Sequence, residues 1–319
     1  MQFYDLAIVG GGVAGISAAI KAKESGIDSI VILESENELG GNLNQCIHSG
    51  FGFEIFDDNL TGTEFCQRLI DKVIELQIEY RLNTTVIEIN KNKTLTAVNS
   101  DQGVFQVKWK ALVFAAGCIE STKNALKIAG SKMAGVYTAG TVQRMINIEG
   151  YLPGKEAVVI GSHDFGLIMA RSMIIEGAKV KAVIEKSGAP KGSIKSVEDC
   201  IKDFNIPLLL NYDVIDVKGK ARVEEINVAK IDEAGFPVSG TERNIPCDTV
   251  ILSVDLVPHV ELLENAGIEM DSNGLFVDID GIFVCGDANH IHEHADGIVI
   301  EGREAGLAAF RYITEKTDI

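Results

Sequence analysis

The sequence contains one 29-residue pattern twice, and this repeat restricts the fold more than any other feature. The copies are Leu6–Glu34, LAIVGGGVAGISAAIKAKESGIDSIVILE, and Ala157–Glu185, AVVIGSHDFGLIMARSMIIEGAKVKAVIE. Each has an apolar run, a glycine turn, a helical pattern ending at a glycine, and a second apolar run ending in glutamate. This order of strand, turn, helix and strand is the unit of a parallel sheet with a right-handed crossover. The repeat therefore predicts an α/β protein with two parallel sheets.

The turn in the first copy has the spacing of a dinucleotide-binding motif, Gly10-x-Gly12-x-x-Gly15. The first glycine makes the tight turn, the second lets backbone approach a pyrophosphate, and the third lets the helix pack close to the strand. The helix N-terminus then faces the phosphates. Glu34 follows 24 residues after Gly10, where a carboxylate can accept hydrogen bonds from a ribose. We therefore predict a Rossmann-like domain that binds a dinucleotide.

A β-rich stretch and one more apolar strand follow each copy. Residues 86–109 are predicted to form three short strands that lead to a separate strand at 111–117, ALVFAAG. Residues 214–245 form the matching meander, followed by TVILSVD at 249–255.

A helix is predicted between the first copy and its meander. Thr61 and Glu64 have the spacing of a capping box, and Phe65, Leu69 and Val73 fall on one face. The chain is predicted to close with a strand at 281–285 and a helix at 297–315.

These elements predict that one domain is inserted into the other. The outer domain comprises residues 1–117 and 257–319, and the inserted domain comprises residues 118–256. Each domain combines a Rossmann-like fold with a small β-meander.

Charge and hydrophobicity narrow the possible partners. The chain has 29 basic and 46 acidic residues, a formal net charge of −17, which argues against nucleic acid or an anionic membrane as partner. Its apolar runs are shorter than the roughly 20 residues that span a bilayer. The N-terminal residues MQFYDLAIVGGG lack the basic region and cleavage site of a signal peptide. We expect a cytoplasmic protein.

The cysteines give no sign of a local redox or metal centre. The six cysteines stand at positions 46, 66, 118, 200, 247 and 285, and no two have a Cys-x-x-Cys spacing. Cys66 lies beside the apolar stripe of the predicted helix and is expected to be a core residue.

Over nearly its whole length, the chain resembles the two-dinucleotide flavoproteins, the pyridine nucleotide-disulfide oxidoreductases. The two folds, ALVFAAG after the first meander and GIFVCGDA near the C-terminus carry this resemblance, and the length resembles the thioredoxin-reductase-like branch. In that family the first fold and the C-terminal segment bind FAD, and the second fold binds a nicotinamide nucleotide. Disulfide reduction of the thioredoxin-reductase kind is excluded, since the Cys-x-x-Cys is missing.

The resemblance implies a set of FAD-binding residues in the outer domain. The pyrophosphate, ribose, flavin and adenine contacts would come from Gly10, Gly12, Val13, Ala14, Gly15, Glu34, Ser35, Gly41, Asn42, Leu43, Gln45, Val86, Ala116, Gly117, Gly286, Asp287, Gly297 and Ile298. Within this set Val86 would meet the adenine and Asp287 the ribityl or pyrophosphate part. Backbone N–H groups near Gly297 and Ile298 would stabilise negative charge on the flavin pyrimidine ring.

A narrower resemblance points to a complex. The segments GGNLNQCIHSGFG at 40–52 and NIEGYLPGKEAVVIG at 147–161 resemble the FAD-containing subunits of opine oxidases, hydrogen cyanide synthase and dye-linked proline dehydrogenases. The resemblance implies a partner flavoprotein subunit with an amine-oxidase-like fold and a small amine, amino acid or hydroxy substrate. Two alternatives stay open: a stand-alone NADH:acceptor oxidoreductase, and a nucleotide-binding scaffold subunit.

The second copy departs from the family pattern at two positions. Its turn reads Gly161-Ser-His163-Asp-Phe-Gly166, with histidine where the glycine nearest a pyrophosphate is expected. Asp255 ends the matching strand where another glycine is expected. Side chains there block the close backbone approach that the glycines allow. Glu185 keeps the ribose acid, so the alternatives for this site are NAD(H), another nucleotide or no ligand.

Side chains for chemistry near the flavin are few. Cys46 and His48 follow the Gly-Gly loop, and the two interpretations are a thiolate at the flavin and a residue pair that shapes the pocket. His290, His292 and His294 alternate, which would place them on one side of an extended segment. We expect them to line a pocket or an interface and predict no metal site.

Overall fold

The computed structural model describes residues 1–121, 133–268 and 280–317. The chain divides into two units, Met1–Ile119 with Leu256–Ile319, and Glu120–Asp255. The strands are β1 (Gln2–Val9), β2 (Ile30–Leu33), β3 (Ser49–Phe51), β4 (Leu60–Thr61), β5 (Glu79–Arg81), β6 (Thr85–Asn90), β7 (Thr94–Asn99), β8 (Gly103–Phe114), β9 (Cys118–Glu120), β10 (Val136–Thr138), β11 (Glu156–Ile160), β12 (Lys179–Glu185), β13 (Leu208–Leu210), β14 (Tyr212–Gly219), β15 (Val223–Lys230), β16 (Arg243–Pro246), β17 (Thr249–Leu252), β18 (Leu256–Pro258) and β19 (Ile282–Val284). The helices are α1 (Val13–Ser25), α2 (Gly62–Glu75), α3 (Ala139–Asn147), α4 (Asp164–Ile175), α5 (Ile194–Val197), α6 (Glu261–Asn265) and α7 (Ala295–Thr317).

The first unit is built on a seven-stranded sheet in the order β5-β2-β1-β8-β7-β6, with β19 also paired to β8. Strands β5, β2, β1, β19 and the end of β8 are parallel, while β6, β7 and the start of β8 form an antiparallel meander. In the centre, Val9 of β1 lies opposite Leu33 on one side and Phe114 on the other. The predicted Rossmann-like topology is confirmed.

The sequence was misleading about β8. It predicts a third meander strand and a separate strand at 111–117, whereas the structure has one 12-residue strand, Gly103–Phe114. The first half pairs with β7 up to Lys108, and pairing with β1 begins at Val107. Because one partner takes over where the other ends, the strand continues without a turn.

Helix α7 packs directly on α1 through small residues. A Cβ added to Gly302 would lie 2.4 Å from the Ala14 carbonyl oxygen, and one added to Gly306 would lie 2.2 Å from that of Ala18. Only glycine permits such a close approach of two helix backbones. This packing fixes the start of α7 beside the glycine turn. None of the helices in the described ranges combines the length and hydrophobicity needed to cross a bilayer.

Helix α2 begins with the predicted capping box. The Thr61 hydroxyl accepts from the Glu64 N–H at 3.2 Å, and the Glu64 carboxylate accepts from the Thr61 N–H at 2.9 Å. Phe65, Leu69 and Val73 are buried beneath the helix, and so is Cys66. The predicted start, the buried face and the core position of Cys66 are all confirmed.

Thr61→Ala is expected to lower the free energy of unfolding by about 1 kcal/mol, the usual cost of losing an N-cap side chain. Chemical denaturation monitored by circular dichroism measures this. Thr63→Ala, two residues further on, is the matched control and should leave stability nearly unchanged. Equal losses in the two variants would show that the cap contributes nothing specific.

The second unit repeats this arrangement. Its parallel sheet has the order β10-β17-β11-β12-β13, and β14, β15 and β16 form a separate antiparallel meander. Ile160 at the end of β11 lies opposite Leu252 of β17, as Val9 lies opposite Phe114 in the first unit. Position 255 is therefore the structural equivalent of position 117, three residues beyond each pair.

Candidate functional site

Two glycines of the first turn are required by the packing of the protein itself. A Cβ on Gly10, whose φ is +101°, would lie 2.3 Å from the Ala115 carbonyl oxygen. A Cβ on Gly15 would lie 2.0 Å from the Gly10 carbonyl oxygen. Such contacts are far inside van der Waals distance, so larger residues would push the helix from the strand. These glycines build the turn whether or not a ligand binds.

Gly12 and Gly117 are different, because the protein leaves space beside them. The nearest atom to a Cβ on Gly12 would be the Gly41 Cα at 3.9 Å, and a Cβ on Gly117 would meet no described atom within 4 Å. The backbone of Gly117 is left-handed, with φ of +71°. The first turn of α1, from Val13 to Ile16, is uncharged and its N-cap, Gly12, offers no side chain to its N–H groups. This end of the sheet thus has a bare backbone surface suited to a phosphate-bearing ligand.

The Gly-Gly loop lies against the glycine turn. The Gly40 N–H donates to the Gly11 carbonyl at 2.8 Å, and a Cβ on Gly41 would lie 3.0 Å from the Gly12 Cα. Residues Gly41–Gln45, which include the predicted Asn42 and Leu43, then form a turn of 3₁₀ helix. Leu43 packs on the core beneath. The loop therefore forms one wall of the space beside Gly12.

Glu34 is held at the end of β2 by backbone and side-chain donors. Its carboxylate accepts from the Gly11 N–H at 2.5 Å, the Ser35 hydroxyl at 3.1 Å and the Glu36 N–H at 2.8 Å. The side chain is 6% exposed. The carboxylate is thus fixed beside the glycine turn, where a ribose diol of a bound dinucleotide would lie.

The C-terminal segment reaches the same turn. A Cβ on Gly286 would lie 2.6 Å from the Ala14 Cβ and 3.4 Å from a side-chain carbon of Ile298. Asp287 lies next, and its Oδ2 is 3.8 Å from the Cys118 Sγ, beside Gly117. Parts of the chain that are far apart in sequence are therefore brought together around Gly12, Gly117 and Asp287.

The remaining predicted residues take two kinds of position. Ala116 follows β8 next to Gly117, and Gly297 lies in the first turn of α7. Val86 is 7% exposed and its side chain packs in the core cluster that contains Val31 and Leu33. Any contact of Val86 with adenine would therefore come from its backbone.

The corresponding turn of the second unit keeps the two glycines that packing requires. A Cβ on Gly161 would lie 2.6 Å from the Ser253 carbonyl oxygen, and one on Gly166 would lie 2.4 Å from the Ser253 Cβ. The two positions that differ, His163 and Asp255, are the equivalents of Gly12 and Gly117. Replacement has thus occurred where the first unit leaves space, and has spared the positions that hold strand and helix together.

His163 and Asp255 face each other across this turn. The His163 Nε2 lies 3.8 Å from an Asp255 carboxylate oxygen, and both side chains are largely accessible to solvent. Asp164 adds a second carboxylate in the first turn of α4, where α1 is uncharged. Negative charge at a helix N-terminus opposes the binding of a phosphate there. The second turn is therefore much less suited to a pyrophosphate than the first.

Glu185 nevertheless has the surroundings of Glu34. It is 3% exposed and accepts from the Ser162 N–H at 3.0 Å, the Ser162 hydroxyl at 2.6 Å and the Ser187 N–H at 2.9 Å. Burial raises the pKa of Glu185, but these hydrogen bonds outweigh burial and hold the pKa below its ordinary value. The ionised carboxylate is thus used within the protein, which accounts for its retention without a ligand.

Cys46 and His48 are held by different partners. The Cys46 Sγ donates to the Asn42 carbonyl at 3.6 Å, and the Cys46 carbonyl accepts from the Gly62 N–H at 2.8 Å. The His48 Nδ1 lies 3.1 Å from the Ser49 carbonyl, and its ring centroid is 5.2 Å from that of Phe51. These contacts favour a structural role for the pair in the segment that follows the Gly-Gly loop.

The three alternating histidines do not share one side of an extended segment. They lie in irregular chain between the 3₁₀ turn Gly286–Ala288 and α7. His290 and His292 come together with Glu301, and His294 is outside this group. Sequence reasoning missed Glu301 because it stands nine residues after His292 on a helix, a separation that has no local signal.

Comparison with known proteins agrees with this geometry. A hydrogen cyanide synthase subunit, HcnB, from Pseudomonas protegens is 24% identical to 95% of this chain, and the match covers 68% of that protein. An opine oxidase subunit from Agrobacterium tumefaciens is 24% identical to 97% of this chain, over 65% of that protein. The chain therefore spans about two thirds of the length of these curated relatives.

A solved structure shows the same fold. The thioredoxin reductase of T. acidophilum superposes with a TM-score of 0.77 at 24% identity, covering 98% of this chain and 99% of that chain. The sequence pattern of one family, described as pyridine nucleotide-disulphide oxidoreductase, matches residues 4–302. With nearly its whole length matched, this chain belongs to the pyridine nucleotide-disulphide oxidoreductase family, a family of flavoproteins that are oxidoreductases.

Proposed function

We propose that the chain is an FAD-dependent oxidoreductase that serves as the electron-transferring subunit of a larger dehydrogenase. The observation that carries this proposal is the contrast between the two turns. Gly12 and Gly117 leave space beside a bare helix N-terminus in the first unit, whereas His163 and Asp255 fill the equivalent positions in the second. One dinucleotide site is therefore kept and the other has been modified.

The residues of the first unit fit FAD by their chemistry. The N-terminus of α1 would bind the pyrophosphate, and the Glu34 carboxylate would accept hydrogen bonds from the adenosine ribose. The Asp287 carboxylate would accept from hydroxyls of the ribityl chain. The start of α7, near Gly297 and Ile298, would place its positive end beside the flavin pyrimidine ring. When bound, FAD supplies the capacity to accept a hydride from an organic substrate.

A partner subunit would supply the substrate chemistry. Hydrogen cyanide synthase and opine oxidase, whose subunits are similar to this chain, are both named as multi-subunit enzymes. By this analogy we propose a second flavoprotein with an amine-oxidase-like fold that oxidises a small amine, amino acid or hydroxy compound. The second unit would then act as a structural or docking module.

The competing function is a stand-alone NADH:acceptor reductase. The buried Glu185, with its Ser162 and Ser187 donors, is the observation that favours it, since the arrangement copies that around Glu34. Under this alternative NADH would bind in the second unit and reduce the flavin of the isolated chain.

Purification from the native host distinguishes these functions. A tagged copy of the chain should co-purify with a second flavoprotein in a fixed ratio. Anaerobic addition of small amines, amino acids and hydroxy acids should bleach the flavin of that complex and leave the isolated chain oxidised. Rapid bleaching of the isolated chain by NADH, with no co-purifying protein, would favour the reductase instead.

Cys46→Ser is expected to retain FAD and most of the electron-transfer activity of the complex. Hydride transfer to a flavin needs no thiol, and the contact of Cys46 with the Asn42 carbonyl can be made by a serine hydroxyl. Flavin content and substrate-dependent dye reduction measure the two properties. A loss of about 100-fold, equivalent to roughly 2.7 kcal/mol of barrier, with unchanged FAD content would make Cys46 a participant in the reaction.

A further inference from the structure

Three side chains near the start of α7 have the composition of a metal site. The ligand atoms of His290, His292 and Glu301 all lie within 4.8 Å of one another. The His292 Nε2 is 3.1 Å from the Glu301 Oε2, and the His290 Nδ1 is 3.7 Å from the Glu301 Oε1. Two imidazoles and one carboxylate form a set that zinc and similar divalent ions prefer.

His292 is already oriented as a ligand would be. Asp287 accepts both from the His292 backbone N–H at 3.0 Å and from its ring Nδ1–H at 3.1 Å. The ring is therefore fixed with Nε2 directed toward Glu301. A carboxylate behind one ring nitrogen is the usual support of a histidine that binds metal through the other.

Glu301 is fixed by donors that leave it with capacity to spare. Its Oε2 accepts from the Gly286 N–H at 2.7 Å and its Oε1 accepts from the Asn289 side-chain amide at 2.7 Å. A carboxylate has about four lone-pair positions. The group can thus keep both hydrogen bonds and still bind a cation.

The group is also accessible to solvent on one side. His290 is about half exposed, whereas the His292 and Glu301 side chains are 10% and 18% exposed. The rings of His290 and His292 lie 4.1 Å apart, at an angle of 34°. Two oriented ligands and one exposed ligand would allow an ion to enter without unfolding the segment.

We propose that His290, His292 and Glu301 bind one divalent transition-metal ion of the zinc type. Three protein ligands leave one position of a tetrahedral ion open to water or to a small ligand. The ion would replace the present ion pairs of Glu301 with the two histidines and would tie the segment after Asp287 to α7. This site is independent of the proposed function, since neither histidine belongs to the residues assigned to FAD.

Zinc binding by the purified FAD-containing chain tests this. Dialysis against chelator and then against zinc chloride, followed by metal analysis, should give about one tightly held zinc per chain. Magnesium chloride in place of zinc should give none, because imidazole ligands do not suit magnesium. X-ray absorption at the zinc edge should show nitrogen and oxygen ligands at about 2.0–2.2 Å.

Variants identify the ligands. His290→Ala, the exposed ligand, should weaken zinc binding at least about 100-fold, and His292→Ala should do the same. The matched control is His294→Ala, an exposed histidine outside the group, which should bind zinc like the original chain. FAD content and thermal unfolding of each variant report that it is folded. Zinc that is not stoichiometric, that has sulfur ligands, or that survives unchanged in folded His290→Ala would overturn the proposal.

Discussion

Gly12→Val is expected to abolish FAD binding while the protein still folds. The Gly12 backbone has a φ of −74°, which valine adopts readily, and a Cβ there would be 3.9 Å from its nearest neighbour. The protein therefore tolerates the side chain, but the pyrophosphate of a bound dinucleotide would meet it. The FAD released by acid should fall from about one per chain to less than about a tenth.

Two further variants show that the loss is specific. Gly188→Val places the same side chain on an exposed glycine of the second unit, where the nearest atom is the tip of the flexible Asn211 side chain at 3.3 Å, and it should retain FAD. Gly15→Val would place its Cβ 2.0 Å from the Gly10 carbonyl oxygen and should lose both FAD and stability. Circular dichroism and thermal unfolding separate these outcomes. Full FAD occupancy in Gly12→Val would refute the proposed site.

NADH is expected to reduce the flavin of the isolated chain slowly or not at all. A bound dinucleotide would meet the His163 ring where a glycine normally allows backbone contact, and two carboxylates, Asp164 and Asp255, would face its phosphates. Each pair of like charges 4 Å apart costs about 1 kcal/mol even in water. Anaerobic absorbance at NADH concentrations up to about 1 mM, the upper end of ordinary KM values, measures the reduction.

The double variant His163→Gly, Asp255→Gly should bind NADH at least about ten-fold more tightly than the original chain. It restores the bare backbone seen at Gly12 and Gly117 and removes one of the opposing charges. Glu233→Gly, which removes an exposed carboxylate from the β15–β16 connection, is the matched control and should change nothing. Calorimetric titration of each variant with NADH measures the affinity. Rapid reduction of the original chain at micromolar NADH would contradict this account and favour the reductase function.

The repeat predicted the α/β class, the two Rossmann-like units and the first glycine turn because these depend on local periodicity. An apolar run, a glycine at a fixed step and a capping box such as Thr61 with Glu64 specify strand, turn and helix within a few residues. The continuous strand β8 escaped prediction, since its length depends on pairing first with β7 and then with β1. Pairing partners distant in sequence leave no local signal.

The roles of individual glycines were decided only by the tertiary structure. The sequence shows the same residue type at Gly10, Gly12 and Gly15, but only the fold shows that two of them are packed against backbone and one is open. Likewise the sequence shows alternating histidines, and the fold selects two of them and adds Glu301 from α7. Local spacing determined which segments form strands and helices and which turn can bind phosphate. The meeting of side chains from distant segments depended on sheet order and helix packing, which are set by contacts across the whole chain.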